Sequence, residues 1–134
     1  ANRQTATLIG QGSDFIFHNA DAAGIGVFQA VEEADKAGKT VYALGSNADQ
    51  NGVAPTVCLA SAVLELGRTF DTVVQEVKEG RFQGTRRVLG MKEGYVDMVI
   101  NPALKSRIPP AVLKQVEETK RKIRAGELKV MQSA

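Results

Sequence analysis

Two polar segments of the sequence carry side chains that could bind a small molecule. In residues 18–23, Asn19 and Asp21 place an amide and a carboxylate two positions apart, and together these groups donate and accept hydrogen bonds. Residues 45–52 are dense in short polar side chains, among them Asn47 and Asp49. A turn uses the same residue types, and Asp21 could equally cap a helix, so the residues alone leave both interpretations open.

Catalysis and metal binding have little support in the residue types. The single His and the single Cys, His18 and Cys58, lie forty positions apart, so they do not form a metal-binding motif. Ser46 and Ser61 lack the glycine spacing of a nucleophile elbow, and no carboxylate is identifiable that would orient His18 in a triad. We therefore expect no enzymatic activity, no metal and no cofactor, with Cys58 as a buried core residue.

The composition indicates one globular domain. The chain has 134 residues, of which 43% are hydrophobic and 24% charged, with a net charge of +2, and such a chain can fill a core. Its apolar runs are far shorter than the ~20 residues that span a bilayer. The C-terminal segment is rich in Lys and Arg, but Glu residues are interspersed and no aromatic residues are interleaved. We expect a solvated helix face there and no nucleic-acid partner.

The hydrophobic spacing predicts alternating helices and strands. Predicted helices cover residues 3–12, 24–37, 62–79 and 111–125, and predicted strands cover 15–17, 40–44, 56–60, 86–90 and 96–100, the last two paired as a hairpin. This order predicts an α/β domain with a largely parallel sheet. Because ligands collect at the carboxyl ends of parallel strands, residues 18–23 and 45–55 should lie side by side at one edge.

Several motifs, taken in order, resemble the C-terminal part of the basic membrane protein family. They are FIFH at residues 15–18, GIGVFQA at 24–30, GSNADQ at 45–50, GRF at 80–82, LGMKEG at 89–94 and IRAGELKV at 123–130. Members of this family are substrate-binding lipoproteins of ABC importers, and many take up purine nucleosides. The resemblance covers essentially the whole chain and implies the type I periplasmic-binding-protein fold, mostly one Rossmann-like lobe with a parallel sheet flanked by helices.

The resemblance also implies that the chain is the C-terminal portion of a two-lobed protein about twice as long or more. Residues 1–60 and 86–100 would form the ligand-binding lobe, 62–84 would hold a helix crossing toward the other lobe, and 110–125 would be the C-terminal helix. The N-terminal lobe and a lipoprotein leader would lie upstream, and a first residue other than Met agrees with this. The expected location is periplasmic or anchored at the cell surface, with an ABC permease as partner.

The ligand would lie in the cleft between the two lobes. The residues that we expect to bind it are His18, Asn19, Asp21, Asn47, Asp49 and Leu64. Nucleoside-binding members carry Asp at position 47 and Lys at position 64, where they hold the ribose hydroxyls, and many relatives have a Gly-Gly pair at positions 21 and 22. Asn47 and Leu64 lose the charge-assisted hydrogen bonds that suit ribose, while Asp21 adds a carboxylate. We therefore expect a purine base such as adenine, in preference to a purine nucleoside.

A different interpretation treats the chain as a free-standing, flavodoxin-like interaction module. An apolar stripe that includes Val63, Leu66, Phe70 and Val74 runs along the predicted 62–79 helix. Without a partner lobe this stripe would be an exposed patch that a second copy of the chain could cover. The upstream coding sequence distinguishes the two interpretations, since a Cys-containing leader with a second lobe indicates the transporter and an adjoining start codon indicates the module.

Overall fold

Helices and strands alternate along the chain in the computed structural model, which describes residues 1–130. The elements are α1 (Asn2–Gly10), β1 (Phe15–Phe17), α2 (Ile25–Lys36), β2 (Tyr42–Asn47), β3 (Cys58–Leu64), α3 (Leu66–Lys78), β4 (Val96–Ile100) and α4 (Pro110–Ala125), with 3₁₀ turns at Asp21–Gly24 and Lys105–Arg107. The predicted α/β class is confirmed.

The four strands form one sheet in the order β1-β2-β3-β4. Strands β1, β2 and β3 are parallel to one another. Strand β4 runs antiparallel to β3, because Glu65 N donates to Tyr95 O while Asn101 N donates to Leu59 O, each at 2.9 Å. The sheet is therefore largely parallel, as predicted, with one antiparallel edge strand.

Several predicted elements differ from the structure. The second strand, predicted at residues 40–44, covers Tyr42–Asn47, so residues 45–47 lie in β2 and not in the loop after it. Residues 62–64 were expected in a helix, but they extend β3, because Ala62 and Val63 continue the pairing with β2. Residues 86–90 form no strand and no hairpin with β4. Strand β4 pairs with β3 instead. In the 86–90 segment, Arg87 makes two hydrogen bonds of 2.7 and 2.9 Å to the Glu76 carboxylate of α3.

The chain divides into two compact units. Unit 1 comprises Ala1–Val63 and Met98–Ile108, and unit 2 comprises Leu64–Asp97 and the chain from Pro109 onward. The boundary differs from the predicted grouping of residues 86–100 with 1–60, since residues 86–97 lie in unit 2. Which of these stretches belong to a ligand-binding lobe stays a prediction.

Unit 1 contains the hydrophobic core. Helix α1 packs on α2, and α2 turns Val27, Phe28 and Val31 inward, toward apolar residues of β1, β2 and the start of β3. Cys58 is fully buried in this core, as predicted, and burial raises the pKa of its thiol. The core thus fixes the strands whose carboxyl ends carry the polar loops.

Unit 2 has little apolar burial of its own within the described residues. Helices α3 and α4 contain no buried residue, and Leu66, Phe70, Val74 and Val77 of α3 are exposed, Phe70 to 70%. Asp97 of β4 forms ion pairs with Lys120 and Arg124 of α4, at 3.0 and 2.9 Å. None of the helices in residues 1–130 has the length and apolar character that a membrane crossing requires.

Candidate functional site

Three of the predicted site residues meet where β1 and β2 end. The Asn47 side-chain amide donates to Asn19 Oδ1 and to Asp21 Oδ1, each at 3.4 Å. Asn19 and Asp21 are exposed and Asn47 is half-buried, and hydrogen bonds of this length are weak. The two polar loops therefore lie side by side, as the topology predicted, and their side chains are free to exchange these contacts for others.

The backbone at two of these residues adopts a conformation that L-residues seldom take. Asp21 has φ of 46° and Asn47 has φ of 69°, and among residues 1–130 no other residue except glycine has positive φ. Asp and Asn tolerate this left-handed region better than most residues, and such positions cost of order 1–3 kcal/mol and cluster at ligand sites. The two residues with a strained backbone are therefore the same two that form the Asn47–Asp21 hydrogen bond.

The loop that follows β2 is fastened to β3. Ser46 N donates to Gln50 Oε1 at 3.0 Å, and Gln50 N donates to Ser61 Oγ at 3.0 Å. A Cβ on Gly45 of β2 would lie only 2.8 Å from Ser61 Oγ and 2.9 Å from Gln50 Cβ, so a side chain at position 45 would separate the loop from Ser61. The sequence analysis considered Ser61 only as a nucleophile and gave Gln50 no role, although a serine in an apolar strand is a visible signal.

Asp49 and Asn51 hold the rest of this loop. The Asp49 carboxylate accepts from Asn51 N at 3.0 Å, which closes a local turn. The buried Asn51 side chain donates to Val99 O of β4 at 3.2 Å and accepts from Ser61 Oγ at 3.2 Å. Asp49 is exposed but is engaged within its own turn, so the structure gives it a conformational role beside the predicted binding role.

His18 lies beneath the edge and not at its surface. Its side chain is 6% exposed and meets the Phe28 ring edge-on at 5.1 Å. A Cβ on Gly24 would lie 2.3 Å from His18 Cε1, and neither ring nitrogen has a hydrogen-bond partner among the described residues. Burial lowers the pKa of His18 and so favours the neutral imidazole, and the nearby Gln50 side chain opposes this in part.

Leu64, the remaining predicted site residue, ends β3 in unit 2 and is 41% exposed. Its backbone follows Val63, which is in register with Asn47 of β2. Across residues 1–130, no group of three or more His, Cys, Asp or Glu side chains converges as a metal site would require. The chemistry of this edge is hydrogen bonding by amides and a carboxylate.

Comparison with known proteins decides the family. A family model described as Bmp, ABC transporter substrate-binding protein PnrA-like, matches residues 1–133. The chain belongs to the Bmp family. Basic membrane protein A2 of Borrelia garinii subsp. bavariensis is 34% identical to this Bmp chain over 126 residues, which are 92% of the chain and 36% of the relative.

A second relative is named a purine-binding protein and comes from Brucella abortus. It is 32% identical to the Bmp chain over 121 residues, which are 90% of the chain and 31% of that protein. The chain thus spans about a third of the length of these curated relatives.

Solved structures confirm the fold of the Bmp chain. An ABC transporter solute-binding protein of Aeropyrum pernix superimposes with a TM-score of 0.86 at 23% identity, over 98% of this chain and 44% of that one. A transcriptional activator of the comK gene from Bacillus halodurans superimposes with a TM-score of 0.81 at 16% identity, over 96% and 43%. The same fold therefore occurs under different functions, and the site has to carry the functional argument.

Proposed function

We propose that this Bmp-family chain is the C-terminal portion of the solute-binding component of an ABC importer. Its ligand is a purine base such as adenine, bound at the edge formed by Asn19, Asp21 and Asn47. The observation that carries the proposal is the contact of the Asn47 amide with the Asp21 carboxylate at the carboxyl end of the parallel strands. These residues act in recognition, and no chemical step is assigned to them.

The donors and acceptors at this edge are complementary to adenine. One edge of adenine presents the N6 amino group as a donor and N7 as an acceptor, and an Asn side chain pairs with both. An ionised carboxylate such as Asp21 only accepts, so it favours a ligand edge that carries N–H donors. Guanine presents O6 and N7 there, both acceptors, which face the Asp21 carboxylate unfavourably.

The uncharged side chain of Asn47 favours a base over a nucleoside. Ribose hydroxyls are held best by charged partners, because charge-assisted hydrogen bonds are about twice as strong as neutral ones. A purine nucleoside remains the alternative ligand of the same site. The name of the Brucella abortus relative, a purine-binding protein, supports the ligand class without deciding between the two.

The exposed apolar side chains of α3 support a second lobe in the whole protein. Leu66, Phe70, Val74 and Val77 are exposed along α3, and contiguous exposed apolar residues are typical of interaction surfaces. The relatives are about three times as long as this chain, which is ample length for an N-terminal lobe that covers α3. Membership of the Bmp family further supports an ABC permease as partner and an extracytoplasmic, lipoprotein-anchored location.

Calorimetry on the full-length protein tests the proposed ligand. Adenine, adenosine, hypoxanthine and guanosine are titrated separately, and adenine is expected to bind most tightly. Tighter binding of adenosine would assign the site to nucleosides, and binding of none of the four would overturn the purine proposal.

The exposed face of α3 also favours a second candidate function, a module that self-associates through this helix. In that case a second copy, and not an N-terminal lobe, covers Phe70 and its neighbours. The upstream coding sequence decides between the two, because only the transporter requires a second α/β lobe in the same chain.

A further inference from the structure

The hydroxyl of Ser61 is a buried polar group in unit 1. Ser61 is fully buried in β3, where its neighbours Ala60 and Ala62 are apolar. Its Oγ accepts from Gln50 N at 3.0 Å and donates to Asn51 Oδ1 at 3.2 Å, so it uses both capacities of a hydroxyl. Both partners belong to the loop that follows β2.

A short chain of hydrogen bonds leads from Ser61 to Asn47. Gln50, held by Ser61, accepts at its side-chain Oε1 from Ser46 N at 3.0 Å. Ser46 in turn accepts at its carbonyl oxygen from Ala48 N at 2.9 Å. These bonds add to the β2–β3 pairing, in which Ser46 and Asn47 are in register with Ala62 and Val63. Asn47 itself holds φ at 69°, a conformation that an unrestrained segment would leave.

We infer that Ser61 is a positioning residue of the ligand site. It fastens residues 48–51, the loop directly after Asn47 at the end of β2, to β3, so that Asn47 keeps its left-handed backbone and its amide faces Asp21. Ser61 itself is buried and does not face the ligand. The inference rests on the proposed function, since it concerns the same site, and it explains why β3 carries a serine among apolar residues.

Specificity is the property that this arrangement controls. If the loop loosens, the Asn47 amide loses its fixed direction, and discrimination between a base and a nucleoside falls along with affinity. A loss of folding stability alone would weaken the two ligands by the same factor. The ratio of adenine to adenosine affinity therefore separates a positioning role from a merely structural one.

Ser46 offers a matched control for Ser61. Both serines are buried, at 6% and 0% exposure, and both lie on the strands that form the site. Ser46 takes part in the hydrogen bonds above only through its backbone N–H and carbonyl oxygen, and its Oγ has no hydrogen-bond partner among the described residues. Ser46→Ala and Ser61→Ala remove the same atom from similar depth, but only the second removes the side-chain hydrogen bonds from β3 to Gln50 and Asn51.

The experiment measures adenine and adenosine binding by calorimetry on the full-length wild type and both variants, at a temperature where circular dichroism shows all three folded. Ser61→Ala is expected to weaken adenine about tenfold and to reduce the preference for adenine over adenosine. Ser46→Ala is expected to stay within about twofold of wild type. Unchanged affinity and preference in Ser61→Ala, or an equal loss for both ligands, would overturn the inference.

Gln50 provides a second pair of variants in case Ser61→Ala does not fold. Gln50→Ala removes the acceptor for Ser46 N, whereas Gln50→Glu keeps an oxygen in that place. The alanine variant is expected to lose adenine affinity and the glutamate variant to recover most of it. Equal affinities in Gln50→Ala and wild type would contradict the positioning chain.

Amide hydrogen exchange gives a readout without ligand. Ser61→Ala is expected to accelerate exchange at Gln50 N–H, and Ser46→Ala is not. If wild type binds neither purine while Ser61→Ala still accelerates this exchange, the proposed function fails and the positioning role stands. If wild type binds adenine while exchange and binding are unchanged in Ser61→Ala, the positioning role alone fails.

Discussion

The side-chain amide of Asn47 donates a 3.4 Å hydrogen bond to the carboxylate of Asp21, across the ends of β2 and β1. Both residues hold positive φ, at 69° and 46°, and two strained positions that face each other are typical of ligand sites. The bond is long enough to be exchanged for a ligand contact at small cost. This pair is the centre of the proposed purine site.

Replacing Asp21 with Gly tests the carboxylate without disturbing the backbone. Glycine adopts positive φ freely, so Asp21→Gly is expected to keep the folding stability and to weaken adenine about tenfold through loss of a charge-assisted hydrogen bond. Asp21→Ala, the matched control, should show the same loss of affinity together with about 1 kcal/mol lower stability. Wild-type adenine affinity in Asp21→Gly, measured by calorimetry, would remove Asp21 from the site.

Exchanging the two groups tests whether Asn47 and Asp21 act as a pair. Asn47→Asp alone sets two carboxylates against each other and is expected to lower the free energy of unfolding by about 1 kcal/mol at neutral pH. Adding Asp21→Asn restores one amide and one carboxylate, with the direction of the hydrogen bond reversed. Thermal unfolding of the single and double variants is expected to show that recovery. Strictly additive effects would mean that the two side chains do not interact.

The packing of His18 against Gly24 predicts a size limit at position 24. Gly24 has an ordinary helical φ of −58°, so Ala would fit the backbone there. Its Cβ would nevertheless lie 2.3 Å from His18 Cε1, and overpacking of this kind costs about 1–3 kcal/mol. Gly52→Ala, where a Cβ meets nothing within 4 Å, serves as the control and should change stability by less than about 0.5 kcal/mol. Equal melting temperatures for the two variants would contradict the packing.

His18 predicts a dependence of stability on pH. Burial holds the pKa of folded His18 below its ordinary value of 6.5. Below pH 6.5 the unfolded chain therefore takes up a proton that the folded chain does not. As the pH is lowered below 6.5, the free energy of unfolding therefore decreases, by at most about 1.4 kcal/mol per pH unit, until the pH reaches the folded-state pKa.

Urea unfolding of wild type and His18→Gln, at about pH 7 and about pH 5.5, measures this contribution. The variant is expected to be less stable at both values but to lose less stability on acidification. Carboxyls such as Glu76, whose pKa the neighbouring Arg87 lowers, titrate further to the acid side and contribute equally to both proteins. Identical pH dependence in the two proteins would show that His18 titrates normally when folded.

The face of α3 predicts how unit 2 is covered in the whole protein. Phe70→Asp places a charge on a surface that an N-terminal lobe would bury, so the full-length variant is expected to melt several degrees lower, from a loss of about 2 kcal/mol. Val53→Asp changes a residue of unit 1 that is 56% exposed and should have little effect. If Phe70→Asp has the same melting temperature as wild type, no lobe covers the apolar face of α3.

Regular elements could be predicted from the sequence where one periodicity dominated, as in α2 and β1. The prediction failed at Ala62 and Val63, because apolar residues at that junction suit a strand or a helix and the pairing with β2 decides between them. It failed again at residues 86–90, since β4 pairs with β3 and not with its neighbour in sequence. Long-range pairing is invisible to a local pattern.

The candidate site, too, could be predicted only in part. Parallel topology was sufficient to bring Asn19, Asp21 and Asn47 to one edge, because successive parallel strands end on the same side of the sheet. The link from Gln50 to Ser61 could not be predicted, since it joins residues eleven positions apart and the local sequence does not distinguish Ser61 from other serines in strands. The burial of His18 likewise depends on Gly24, which packs against its ring. The sequence contains this glycine but does not reveal that it lies next to His18.

A crystal structure of the full-length protein with adenine tests the central claim most directly. The proposal predicts that the purine lies at the ends of β1 and β2, with the Asp21 carboxylate and the Asn47 amide within hydrogen-bond distance of its ring edge. Adenine bound elsewhere, with both side chains still paired to each other as they are here, would contradict it.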